Sequence, residues 1–481
     1  MRSFLRLAFK TYLFTWVAVF LLIEIATLVN GGDVMDGFRN FTDMAGSASF
    51  LKGTHFIFGV FLLLALCIRY FVRTYRKRGF RVFLKRFSLL VLLPALVLFS
   101  AYKYIVHQNA SETFTYQWDP TVENPENIAT NYFETDKKHR GMSVFGWRKL
   151  DSTAIRPLVK NNVEWVAVIP FFYQEDEQTS QLVVRNSYDR WSRRDSMFID
   201  VIQQLHESNL RVHLKPHLWM REGWRSNINL ASDDDWEQWF ESYRITMLHY
   251  ARMAQHTGAE LLCIGTELRT SIREQPEKWC KLVQEIKTLY SGDLTYAANW
   301  DGDVYEVPFW EEMDFIGVQA YFPLTDNARP DLATIKSGWD RHMDHLETLA
   351  KQYEKPILFT EVGYKSEASA TIKPWEWGSA VSILYREKSH ETQLLAYEAM
   401  FQKLWHRDWF AGVYIWQWNT QSSEERAQTN LNFSPRFKPA ENVIAKWFGK
   451  NKIVGSGAED GNYFSDIFGL EKTNEANNPS Q

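Results

Sequence analysis

Three apolar runs open the chain, at about residues 12–29, 56–72 and 87–106. Each is close to the length that crosses a hydrocarbon core of about 30 Å. Past residue 139 the pattern changes. Short apolar runs now alternate with longer stretches in which apolar positions recur at helical spacing. The runs at 141–145, 165–171, 211–216, 260–265, 294–298, 315–320, 356–360 and 412–416 predict strands that are apolar on both faces, as buried parallel strands are. Helical spacing near 152–161, 196–208, 234–256, 276–290, 332–353, 392–405 and 439–448 predicts helices between and after them. Parallel strands need crossovers, and helices supply them here. Eight strands, seven of them followed by a helix and the fifth by a short connection, within residues 139–450 predict an α/β fold, a (β/α)8 TIM barrel. An open doubly wound sheet fits less well, because no glycine-rich phosphate loop follows the first strand.

The apolar runs predict a transmembrane module over residues 1–108. A cleaved signal peptide fits poorly, since the first run carries Glu24, lacks a small-x-small cleavage site and is followed by two more runs. The segment 73–86 holds seven basic residues and no acid, which puts it in the cytoplasm by the positive-inside rule. Arg2, Arg6 and Lys10 place the N-terminus there too. Asp33, Asp36 and Asp43 suit the segment 30–55 to the other side. Three crossings then leave everything after about His107 outside the cytoplasm. Residues 109–138 are polar, contain Pro120 and Pro125, and are expected to form a linker. Residues 451–481 are polar, low in apolar content, and expected to be a flexible tail.

Composition narrows the chemistry. A net charge of -4 over 481 residues supplies no basic field for nucleic acid. Aromatic residues make up 15%, with 20 tryptophans, many near predicted strand ends. Such rings serve equally as core and as flat walls for sugars. Cys67, Cys263 and Cys280 have neither metal-ligand nor disulfide-framework spacing, and nothing in the chain implies a cofactor.

In a barrel of this kind, chemistry sits at the carboxyl ends of the strands. Two ends carry glutamates, Glu267 beyond 261–264 and Glu361 beyond 356–360. Alternation puts Cys263, Gly265 and Glu267 on one face, and Ile357, Phe359 and Glu361 on one face. If those faces point inward, the two carboxylates share one mouth. The same parity brings in His213, Lys215 and His217 from strand 3, Asn299 from strand 5, Gln319 and Tyr321 from strand 6, and Tyr414, Trp416 and Trp418 from strand 8. A salt-bridged strand end would explain either glutamate taken singly, but it accounts less well for two of them on strands of one barrel. Lys215 suits either an ion pair with a carboxylate or a contact to substrate. His213 and His217 lie about 13 Å apart by strand rise, too far to ligate one metal as a pair. Paired carboxylates, aromatic walls and no metal or nucleotide motif point to glycoside hydrolysis, in which one carboxyl protonates the leaving oxygen and the other attacks the anomeric carbon or activates water.

The ends Lys215-Pro216-His217, Gly265-Thr266-Glu267-Leu268, Gln319-Ala320-Tyr321, Phe359-Thr360-Glu361-Val362-Gly363-Tyr364 and Trp416-Gln417-Trp418-Asn419 resemble, in that order, glycoside hydrolase family 113, a clan A family of retaining β-1,4-mannanases. The resemblance spans about residues 140–448. It implies that Glu267 is the acid/base and Glu361 the nucleophile, with carboxyl groups about 5–5.5 Å apart. It further implies that Tyr321 hydrogen-bonds the nucleophile and that Trp416 floors the sugar subsite. His217, Lys215, Asn299, Gln319 and Trp418 complete the expected substrate-binding set, with no metal. Thr266 stands where many clan members carry the asparagine that binds the 2-hydroxyl, which leaves Asn299 as a candidate for that contact. The resulting expectation is a membrane-anchored β-glycosidase acting on a polysaccharide or oligosaccharide outside the cytoplasm. A noncatalytic glycan-binding barrel and a transglycosylating enzyme of envelope polysaccharide metabolism are the competing readings.

Overall fold

The computed structural model describes residues 2–29, 33–145, 152–182, 192–379 and 381–450. The chain divides into two compact units, Met1–Tyr104 and Ile105–Gln481. The tail expected at 451–481 lies outside the described residues.

In the first unit, two helical stretches among the described residues are long and apolar enough to cross a membrane, Ser3–Val29 and Phe50–Ala110. The second is not straight. Gly79 breaks it with φ 79° and ψ 172°, a left-handed φ that glycine adopts without steric cost. The chain folds back there, so that the Phe71 ring lies 6.0 Å from Phe83 and 5.4 Å from Phe87. On a straight helix Phe71 and Phe87 would be about 24 Å apart. The second and third apolar runs are therefore arms of one helical hairpin. The basic segment 73–86, expected as a loop, is helical on both sides of its turn. The segment 30–55 also differs from expectation. It contains the amphipathic helix Val34–Ala45, started by a reciprocal Asp33–Asp36 capping box. Gly37 of that helix packs against the buried Glu24 carboxylate, where a side chain would clash.

Among the described residues the second unit contains ten strands: β1 (His139–Phe145), β2 (Trp165–Val168), β3 (Phe171–Gln174), β4 (Arg211–Leu214), β5 (His217–Met220), β6 (Leu261–Thr266), β7 (Asp293–Asn299), β8 (Phe315–Gln319), β9 (Ile357–Val362) and β10 (Phe410–Asn419). Eight of them close a parallel barrel in the order β1-β10-β9-β8-β7-β6-β4-β2. The other two, β3 and β5, form a parallel pair beyond the rim. Each continues a barrel strand across a proline, Pro170 after β2 and Pro216 after β4. Proline has no N–H for the ladder, so each expected single strand becomes two. Between the strands lie helices such as Asp233–Thr257, Pro276–Leu289 and Leu332–Tyr353. Their buried Trp239, Trp279 and Trp339 pack on the outward side chains of the sheet.

Residues 112–138 pack on the barrel where a linker was expected. Tyr116 donates to Asn442, and Glu112 accepts from the backbone N–H of His390. The buried Glu164 carboxylate takes the N–H groups of Tyr132 and Phe133. Phe133 then closes the amino end of the barrel, its ring 4.9 Å from Trp165 and 5.1 Å from His139. The segment's polar groups pair with the barrel, and its aromatics fill its base. That is why a polar, proline-containing sequence here is ordered structure.

Candidate active site

Strict alternation predicts the inward residues of β2, β4, β7 and β8: Trp165 and Ala167, His213 and Lys215, Thr295 and Asn299, Gly317 and Gln319 lie toward the barrel axis or mouth, while their neighbours Val166, Val212, Leu294 and Val318 pack on the helices. It fails on the two strands that carry the glutamates. On β6 the register to β7 slips by one residue between Cys263 and Thr266. Gly265 consequently faces outward, where a Cβ would sit 2.9 Å from the Tyr243 hydroxyl and 3.0 Å from the Trp279 ring. Glu267 regains the inward direction through a left-handed φ of 53°, its N–H bonded to Ala297 O. On β9 an extra residue enters opposite β8, since Val318 pairs with Phe359 but Gln319 pairs with Glu361. Ile357 and Phe359, expected inside with Glu361, point outward, and Phe359 stacks on Trp339 at 6.0 Å. These bulges re-aim the glutamate side chains, a role bulges commonly have beside active sites.

Both carboxylates open into a cleft of about 1220 Å³ at the carboxyl end of the barrel. Glu361 is gripped from three sides. Lys215 Nζ donates to Oε1 at 2.6 Å, His217 Nε2 lies 3.3 Å from the same oxygen, and the Tyr321 hydroxyl donates to Oε2 at 3.0 Å. Lys215 is held in turn by Gln319 Oε1 at 2.9 Å and by Thr360 O at 3.2 Å. Burial pushes the Glu361 carboxyl up, but the Lys215 ammonium and His217 outweigh it and hold the group well below the usual carboxylate range. Burial brings His217 down to about 4, so its imidazole is neutral near pH 7. Burial and the Glu361 charge raise the Tyr321 phenol, which stays a donor.

Glu267 has a different environment. Arg225 Nη2 donates to its Oε2 at 2.5 Å, and Ser226 Oγ donates to its backbone carbonyl at 2.7 Å. Burial raises this carboxyl. Arg225 pulls against that, the nearby Glu361 charge adds to it, and the balance lies above the ordinary value. Two carboxyls in one cleft are thus driven in opposite directions, the arrangement that lets paired carboxyls take different acid and base roles. Asn299 also faces the cleft and donates to Ser226 Oγ at 3.2 Å.

The expected site residues divide into two groups. Glu267, Glu361, Tyr321, His217, Asn299 and Trp416 line the cleft. Lys215, Gln319 and Trp418 do not: all three are buried. Lys215 and Gln319 lie beneath Glu361 as its support. Trp418 is turned outward because β10 gains a residue against β1, with Ser143 opposite Trp416 and Val144 opposite Trp418. Gln417 lines the cleft in its place, and Arg436 covers the Trp418 ring at 5.5 Å. Thr266 is buried beside Cys263 and away from the cleft. Sequence reasoning missed the turn Arg225–Asn227 after β5 and four tryptophans of the rim, Trp219, Trp224, Trp375 and Trp377. The signal was present as tryptophans in the polar stretches after the expected strands 211–216 and 356–360, outside any apolar pattern. Among the described residues, no group of three or more His, Cys, Asp and Glu could hold a metal ion.

A family model described as Glycoside Hydrolase Family 113 matches residues 146–438. The solved GH113 β-mannanase AaManA from Alicyclobacillus acidocaldarius, in complex with ManMIm, is similar at 27% identity and a TM-score of 0.57, over 66% of this chain and 99% of that one. A second solved structure, a complex of a GH113 β-1,4-mannanase, is similar at 27% identity and a TM-score of 0.55, over 65% of this chain and 98% of that one. No curated protein matches the chain.

Proposed function

The chain belongs to glycoside hydrolase family 113, and from that premise we propose that it is a membrane-anchored retaining β-glycosidase acting on β-1,4-mannan or a related β-linked glycan outside the cytoplasm. The observation that carries this reading is the opposed pair in the cleft: Glu361 held ionised by Lys215, His217 and Tyr321, and Glu267 raised by burial. Glu361 suits the nucleophile. It attacks the anomeric carbon while Glu267 gives its proton to the departing glycosidic oxygen, leaving a glycosyl ester on Glu361. Glu267, now a carboxylate, takes a proton from water, whose oxygen attacks the anomeric carbon and returns the ester electron pair to Glu361. The Tyr321 hydroxyl steadies the nucleophile's second oxygen. Trp416, whose ring lies 5.0 Å from Phe145 in edge-to-face contact, is the floor on which a sugar ring stacks. The mannan assignment rests on the mannanase relatives, and Asn299 is the candidate contact for the 2-hydroxyl.

The membrane assignment rests on the apolar helices and on charge. The first helix and the two arms of the hairpin amount to three crossings, and the seven cations around Gly79 belong on the cytoplasmic side. The catalytic barrel then follows on the opposite side.

The test is a digest of a β-glycan panel by the full-length protein in detergent, alongside Glu361→Ala and Glu267→Gln. Both substitutions are expected to remove hydrolysis without unfolding the chain. Azide should restore turnover to Glu361→Ala with release of an inverted glycosyl azide. Full activity in either variant overturns the assignment. A reporter fused after His107 should read as non-cytoplasmic, and a cytoplasmic signal would reverse the topology.

A further inference from the structure

Arg225 poses a chemical question. A proton donor is best left uncharged, yet Glu267 shares its Oε2 with a guanidinium at 2.5 Å. The two side chains are 10% and 7% exposed, so solvent screens the pair little. The placement is built into the fold. The pair β3–β5 extends the wall beyond the rim and delivers the turn Arg225–Asn227 onto the segment after β6. Ser226 Oγ donates to Glu267 O, and Thr270 Oγ1 donates back to Ser226 O at 2.7 Å. The guanidinium carbon lies 4.4 Å from the centre of the Trp224 ring, which fixes its plane.

We infer that Arg225 is a positioning residue that stabilises the base form of Glu267 and so serves the second half of the reaction, the release of the glycosyl group from Glu361. This rests on the roles assigned above. In the first half, burial and the Glu361 charge favour the acid form of Glu267 against the pull of Arg225. Formation of the glycosyl ester neutralises Glu361 and removes its repulsion. Arg225 then meets no opposing charge of that size, and Glu267 stays a carboxylate able to take the proton from water. The water oxygen bonds to the anomeric carbon, and the C–O bond to Glu361 breaks with its electron pair returning to that carboxylate. Charged and titratable groups act on Glu267 from five directions: Arg225 in the turn after β5, Glu361 on β9, Lys215 after β4, Asp303 after β7 and Tyr321 after β8. Of these, Glu361 is the group that the ester bond itself neutralises, so the same arginine can accompany both states.

The experiment compares the full-length wild type with Arg225→Gln and Arg225→Lys on the 2,4-dinitrophenyl β-glycoside of the sugar that the panel selects. This leaving group needs no acid, so the assay isolates release of the glycosyl group. Arg225→Gln should show a burst of phenol, then turnover slowed at least tenfold with a lowered KM. Azide, which needs no base, should restore its turnover. On an unactivated glycan, the basic limb of kcat/KM should move up by about one pH unit or more, a tenfold change in the proton equilibrium. Arg225→Lys should recover most of both properties. A raised KM with unchanged kcat, no burst and an unmoved basic limb would show a purely structural or binding role and overturn the inference. Full hydrolysis by Glu267→Gln instead overturns the acid/base assignment itself, so the two failures are distinguishable.

Discussion

Lys215→Met removes the ammonium from beneath Glu361 while keeping the length and apolar stem of the side chain. In the native site the pair is 2.6 Å apart, with both side chains buried. At an effective dielectric of about 20, a contact that close is worth about 6 kcal/mol before desolvation is charged against it. Deleting one member of such a pair typically costs about 3–5 kcal/mol, because the remaining charge stays buried. Glu361 has one escape, which is to take up a proton. With burial no longer outweighed, its pKa should rise past the ordinary carboxylate value, and fully buried carboxyls reach shifts of about 3–5 units. His217 and Tyr321 remain and limit the rise; each unit of rise is a tenfold loss of ionised Glu361 at a pH below the new value, so a rise of about two units is roughly a 100-fold loss. The assay is kcat/KM against pH. The wild-type acid limb should lie low, since Glu361 is held below the usual range, and the variant's limb should move up into the neutral region with activity partly recovering at higher pH. Stability gives a second reading. Glu361's folded pKa is depressed, so the pair's contribution is present above the unfolded carboxylate pKa of about 4.3 and is lost as pH falls through the folded value. In the variant the folded pKa is raised, so the stability gap to wild type should be widest near neutral pH and shrink as pH falls towards 4. An unmoved acid limb, together with a stability gap independent of pH, refutes the reasoning and reduces Lys215 to packing.

Three other substitutions test how the glutamates are aimed and which tryptophan meets the sugar. Gly265→Ala places a Cβ 2.9 Å from the Tyr243 hydroxyl and 3.0 Å from Trp279; overpacking of this kind costs about 1–3 kcal/mol, and because the bulge aims Glu267, kcat should fall more than stability alone explains. Denaturant unfolding alongside kinetics checks it, and a stable, fully active variant refutes it. Trp416→Ala should abolish most turnover through loss of the stacking floor. Trp418→Ala, which empties an outward core site, should cost about 3–5 kcal/mol while the folded fraction stays active, and the reverse pattern would show that the two rings are assigned the wrong way round.

The sequence by itself determined the barrel. Eight buried strands spaced by helices admit few ways to cover both faces of a parallel sheet, and that pattern is local and readable. It also placed Glu267 and Glu361 at strand ends, and it weighed Lys215 as a possible ion-pair partner. The tertiary structure decided which way the critical residues face. Period-two alternation assumes an unbroken ladder, and β6, β9 and β10 each carry an extra residue that only the pairing with a neighbouring strand makes visible. Glu361 therefore points inward although Ile357 and Phe359 do not, and Trp418 turns away from the cleft that Trp416 lines. The packing of residues 112–138 on the barrel, and the turn that brings Arg225 to Glu267, rest on contacts between residues far apart in sequence. Such contacts leave no period in the chain. They become definite only when the barrel closes and sets which polar groups must find partners.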